Sequence, residues 1–162
     1  MHAPLSSRGL NIPGLYTEQG LAYIEMLLMH GHREKDITGK LLQGTLQQTK
    51  VKLGLPGPLL LQDYGRYHCL VTNTWIKHAW MFLWEHGLSM EDPGPHLERQ
   101  REGDRHLIPS FYSAGIRGKQ LAQLNWCRLY LQVTTLADIT TGSGDSITTC
   151  AWKGIYNISE EP

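Results

Sequence analysis

The sequence predicts a mainly α protein, an irregular bundle of about five helices with a loop-rich N-terminus and a short strand near the C-terminus. Three observations carry that prediction. The segment TNTWIKHAWMFLWEHG (Thr72 to Gly87) spends three of the chain's five tryptophans on one stretch of helical periodicity. A second segment, KQLAQLNWCRLYLQVTTLADIT (Lys119 to Thr140), repeats apolar residues along one face. Between such segments stand helix-stop residues, Gly31, Gly54 with Pro56, and Gly87.

Taken in order, residues 1–16 hold Pro4, Gly9, Pro13 and Gly14 and read as an extended lead-in. Thr17 suits an N-cap, with Glu18 placed to complement the helix dipole. Leu21, Ile24 and Leu28 then define an inward face, widened by Leu27 and Met29, until Gly31 stops the helix. A second helix starts at Asp36 or Thr38, carries Leu41, Leu42, Leu46 and Leu53, and ends at Gly54. The third runs from Asn73 to His86, with apolar residues over most of its circumference, which places it at the centre of the core. Ala79 and Trp80 are its deepest expected residues.

Ser89 to Gly103 contains Pro93, Gly94 and Pro95 among charged residues, a linker composition. It divides the chain into a lead-in at 1–16, an N-terminal helical subunit at 17–88, a loop at 89–103, a C-terminal helical subunit at 104–152 and a tail at 153–162. Within the C-terminal subunit a short helix spans Asp104 to Ala114, where Pro109 requires a kink or a late start. The longest helix is expected from Gly118 to Thr140. A turn at Thr141 to Gly144 then leads into a strand at Ser146 to Trp152.

Bulk properties narrow the function classes. The 162 residues suit one domain able to bury a real core. Fifteen basic residues balance fifteen acidic ones, so no net charge drives the chain toward nucleic acid or anionic lipid. Cys69, Cys127 and Cys150 are an odd, widely spaced set, which fits reduced cysteines in an intracellular protein of cytoplasm or nucleus. The longest apolar stretch, Leu21 to Met29, is broken by Glu25 and is too short to cross a bilayer, so no membrane partner is expected.

No catalytic constellation emerges, and the chain reads as a non-enzyme without cofactor. His30 with His32, and His68 with Cys69, lack the spacing that lets one turn of chain supply two ligands to a tetrahedral metal. His78 and His86 lie roughly 12 Å apart along a helix, too far to share an ion. Cys127 falls among apolar neighbours, where a thiol is inert. No GxSxG elbow and no Asp-Asp pair occurs, and the adjacent carboxylates Glu91-Asp92 and Glu160-Glu161 fall in segments that read as flexible. TTGSGDSIT (Thr140 to Thr148) has two glycines but lacks the lysine of a phosphate-binding loop.

One cluster does suit a polymer of phosphates and bases. Arg117, Lys119 and Arg128 surround Trp126 at the start of the longest helix, and Lys153 follows Trp152. Cations hold backbone phosphates and an aromatic ring stacks a base. The plainer reading is a solvated helix face with Trp126 half buried. Arg99, Arg101 and Arg105 alternate with Glu98, Glu102 and Asp104, so their fields are expected to cancel.

Three blocks add a resemblance. RGLNIPGLYTEQGLAYI (Arg8 to Ile24) resembles the segment after the polymerase region in reverse transcriptases of non-long-terminal-repeat retroelements, with Gly9, Leu10, Ile12 and Leu15 at the matching positions. YHCLVTNTWIKHAWMFLWEHGL (Tyr67 to Leu88) and LAQLNWCRLYLQVTTLADITTGSG (Leu121 to Gly144) resemble later parts of retroelement polyproteins. Arg8 stands where that pattern commonly has a second glycine, and the F/Y-x-D-D polymerase motif is absent. The resemblance therefore implies a non-catalytic helical region C-terminal to a reverse transcriptase, with RNA or DNA and the parent's polymerase domain as partners. The alternative is a structural or protein-interaction module with no nucleic-acid role. A third option is a small enzyme built on Tyr67, His68 and Cys69.

Overall fold

The computed structural model describes residues 14–33 and 35–148. Among them are six α-helices: α1 (Leu15–His30), α2 (Ile37–Leu53), α3 (Tyr64–Tyr67), α4 (Trp75–Glu85), α5 (Leu107–Ser113) and α6 (Gly118–Leu131). No helix among the described residues is long and apolar enough to cross a membrane. Among the described residues of the expected C-terminal strand, Ile147 forms an isolated bridge with Thr140. Residues 149–152 of that expected strand, and the tail, lie outside the described residues.

α4 is the centre of the bundle, as its tryptophan content predicts. Thr74 caps it, its side-chain oxygen accepting from Lys77 N. The helix closes where Gly87 takes φ 63° and Leu88 N donates to the Leu83 carbonyl at 2.8 Å, a turn in which glycine avoids the Cβ penalty of positive φ. Trp80 and Ala79 are fully buried. The Trp80 indole N–H is satisfied by the Gln62 carbonyl at 2.9 Å, and Tyr64 meets the ring edge-on at a centroid distance of 5.1 Å. Trp84 faces outward instead, more than half exposed.

α1 packs on α4 through a face different from the expected one. Gly20 and Leu27 are buried, whereas Leu21, Leu28 and Met29 are exposed. The cause is the close helix crossing at Gly20, where a methyl group would fall inside the Phe82 ring. The helix also starts earlier than Thr17, with Gly14 as its N-cap. α2 begins after Asp36 and ends at Gly54, left-handed at φ 62°. α3, a single turn capped by the Asp63 carboxylate on Arg66 N, has too few residues to show a periodicity. α5 starts late, so Pro109 sits in its first turn, where a missing N–H costs nothing.

Two corrections concern the C-terminal half. α6 stops at Leu131 rather than Thr140, because Gln132 turns left-handed at φ 57° and the β-branched run Val133, Thr134, Thr135 follows. Asp138 then holds that run, its carboxylate accepting from Thr134 N at 2.6 Å and Thr135 N at 2.8 Å. α2 is consequently the longest helix among the described residues, with 17 residues. The proline-rich stretch at 89–103 is also no free linker. Asp92 lies buried against Lys50 of α2 at 2.6 Å, and Lys50 Nζ donates to the Pro93 and Pro95 carbonyls. One core cluster joins Leu46 and Trp80 to Ile108 and Leu121, so packing runs across the expected boundary.

Candidate nucleic-acid interface

The predicted cluster centres on α6, whose inward face is set by Leu121, Asn125 and Arg128 at i, i+4 and i+7. This register turns Lys119, Gln123, Trp126 and Tyr130 to solvent. Lys119 and Trp126 are two turns apart, and Tyr130 follows Trp126 by one turn, so all three share a face. Trp126 is 71% exposed and Tyr130 80% exposed. That is unusual for side chains whose burial contributes most to a core. The expectation of a half-buried Trp126 is thereby corrected.

Arg128 is no surface cation. It is 3% exposed, and its guanidinium closes the end of α2. Nη2 donates to the Val51 and Lys52 carbonyls at 2.6 and 2.9 Å, Nη1 to the Val133 carbonyl at 3.1 Å, and Nε to Asn125 Oδ1 at 2.9 Å. Asn125 Nδ2 donates to the same Lys52 carbonyl. The positive group thus meets the negative end of the α2 dipole and satisfies carbonyls the helix leaves unpaired. Burial pulls the guanidinium below its ordinary proton affinity. Gly54 is required beside it, since a Cβ there would lie 2.7 Å from the Arg128 Cζ. Arg128 is therefore withdrawn from the interface.

Arg117, at the N-cap of α6, lies over the Tyr112 ring with its Cζ 3.3 Å from the centroid. Its Nη1 donates to the Tyr112 and Ile116 carbonyls. It remains exposed but partly committed to the end of α5. Lys119 is exposed one helical position inside the N-terminus. Lys153 lies outside the described residues. The interface that remains is Lys119, Trp126 and the unpredicted Tyr130, with Arg117 at its edge. Tyr130 was detectable in the sequence as the residue one turn beyond Trp126.

Below Trp126 a cleft of about 210 Å³ is lined by Lys52, Cys69, Thr72, Asn125 and Leu129. It bears on the Tyr67, His68 and Cys69 option. His68 Nδ1 bonds the Tyr64 carbonyl at 3.0 Å and its ring stacks on Tyr64. Burial pushes the Cys69 thiol up, against smaller effects of a backbone hydrogen bond and Lys77. A thiol so placed holds its proton, the opposite of an activated nucleophile. Among the described residues, no three His, Cys, Asp or Glu side chains converge to hold a metal ion.

Fold and site together define a mainly α bundle with an aromatic and cationic stripe on its last long helix. No protein-family model, curated protein or solved structure matches the chain.

Proposed function

We propose that the outer face of α6 is a stacking platform for single-stranded nucleic acid, in a non-catalytic helical module that supports template or target beside a retroelement polymerase. The carrying observation is the exposed pair Trp126 and Tyr130, one turn apart, with Lys119 on the same face. Aromatic faces accept any base and contribute about 1–3 kcal/mol per stacked base. Lys119 and Arg117 supply cations for the backbone. The three ordered sequence blocks support the link to a reverse transcriptase. Zero net charge supports the rival, in which the same stripe seats a protein.

Binding of a short uridine-rich RNA, followed by fluorescence anisotropy across a salt series, tests this reading. Because Arg128 is buried, the slope of log affinity against log salt should be shallow, corresponding to about two released ions. Trp126→Ala should weaken binding by about 1–3 kcal/mol. Absence of binding to single-stranded RNA and DNA at low salt, or unchanged binding by Trp126→Ala, would sink the proposal in favour of a protein-interaction face.

A further inference from the structure

A second cleft, sharing no residue with the α6 stripe, lies between α5 and the 97–106 segment. It has a volume of about 410 Å³ and includes Arg99, Arg105 and His106 beside the apolar surfaces of Pro56, Pro109 and Leu136. Ligand sites for small molecules commonly fall in the range of about 300–1,000 Å³.

The charges around this cleft do not cancel in the way their alternation in sequence suggests. Arg101 is spent on the Thr141 and Gly142 carbonyls and Thr140 Oγ1. Asp104 is buried, its oxygens accepting from Gln100 N, Arg105 N and Ala137 N at 2.8–3.2 Å. Its negative charge is thus offset by backbone N–H groups rather than by a guanidinium. Glu98 and Glu102 are exposed and do not line the cleft. The side chains of Arg99 and Arg105 make no ion pair or hydrogen bond with any described residue.

His106 supplies the second observation. It is 4% exposed, yet its Nε2 has no hydrogen-bond partner among the described residues. A buried polar atom left unpaired costs about 1–3 kcal/mol, so its retention points to a ligand that pairs it. Burial is the largest effect on the ring and holds it below its ordinary proton affinity. A neutral imidazole nitrogen can accept from a P–OH group or donate to a P–O⁻ oxygen, according to its tautomer.

We propose that this cleft binds the phosphate group of a small phosphate monoester, held by Arg99, Arg105 and His106, with the body of the molecule resting on Pro56, Pro109 and Leu136. Two guanidiniums match a terminal phosphate, whose several oxygens accept paired N–H donors. The apolar wall gives such a molecule an advantage over the bare ion.

Phenyl phosphate is a suitable probe, titrated into the full chain and followed by calorimetry and by the His106 ring resonances. Saturable one-site binding is expected, tighter than for inorganic phosphate and absent for phenol. The His106 resonances should move with the same saturation curve. Arg99→Gln with Arg105→Gln should weaken binding by about tenfold or more. Both side chains are exposed, and circular dichroism will report whether the fold is kept. Trp126→Ala should leave phenyl phosphate binding unchanged, so this site and the α6 stripe can fail separately. No saturation, or equal affinity in the double variant, would overturn the proposal. Displacement of phenyl phosphate by single-stranded RNA, with RNA binding lost in the double variant, would also overturn it by giving the cleft to a polymer backbone.

Discussion

Lys50→Met should be among the most damaging single substitutions in this protein. The Lys50 ammonium and the Asp92 carboxylate are 2.6 Å apart, and their side chains are 2% and 0% exposed. Two carbonyls, of Pro93 and Pro95, also accept from Nζ at 3.3 and 3.2 Å. Methionine fills the aliphatic volume but leaves a buried carboxylate facing no cation, with Leu60 N as its remaining partner at 3.0 Å. Breaking one side of such a pair costs about 3–5 kcal/mol, because the stranded charge keeps its desolvation penalty. For a domain of this size each kcal/mol moves the thermal midpoint by about 2–4 °C, so the drop should fall between about 6 and 20 °C. Adding Asp92→Asn removes the stranded charge while keeping an acceptor for Leu60 N. The double variant should therefore recover part of the loss, with a coupling on the order of 0.5–3 kcal/mol. Urea and thermal unfolding of the two singles and the double give the cycle. A Lys50→Met cost under about 1 kcal/mol would place the pair in the class of exposed ion pairs and refute the reasoning.

Two further outcomes are expected. Trp80→Ala should cost about 3–5 kcal/mol from lost burial and the cavity left behind, and an unchanged urea midpoint would show that α4 is peripheral. Stability should also fall in acid: burial holds His106 below its ordinary value, so the folded state binds fewer protons than the unfolded chain. The loss begins as pH drops below about 6.5, the unfolded histidine value, and grows through the folded one. Asp104 acts with the same sign lower down. Burial alone would raise its carboxyl, but bonds from Thr135, Ala137, Gln100 and Arg105 hold it below its ordinary value. Its contribution is present above about pH 3.9 and is lost as pH falls through the folded value. His106→Gln should flatten the upper part of this profile, and a midpoint constant between about pH 7 and 5 would refute the His106 account.

What the sequence made legible was the chemistry of short range. Gly54 and Gly87 mark their helix ends because a positive φ is decided within a few residues. Trp80 and Ala79 are buried as the density of α4 predicts. The end of α6 was hidden because Gln132, not glycine, takes the left-handed turn; the β-branched residues after it were the available sign. The face of α1 was misread because apolar residues occur on both its sides, and only the approach of Phe82 to Gly20 selects one. Arg128 looked like a surface cation beside Trp126, although its spacing from Leu121 already placed it inward. Lys50 and Asp92 gave no local sign, since each resembles a solvated charge until the two meet.

The two buried basic residues of α2 and α6 also govern what a cut chain would do. Lys50 clasps the carbonyls of Pro93 and Pro95, and Arg128 clasps those of Val51 and Lys52. Both ties run sideways across the bundle rather than along the chain. A protease nick at an exposed residue such as Gly103 would leave the Lys50 tie inside the N-terminal fragment, while the Arg128 tie would join that fragment to the C-terminal one. The fragments should travel as one particle through gel filtration and separate only in denaturant. In this protein the continuity of the backbone and the continuity of the folded body are different things, and across such a nick the second rests on the inward guanidinium of Arg128 and on the shared core.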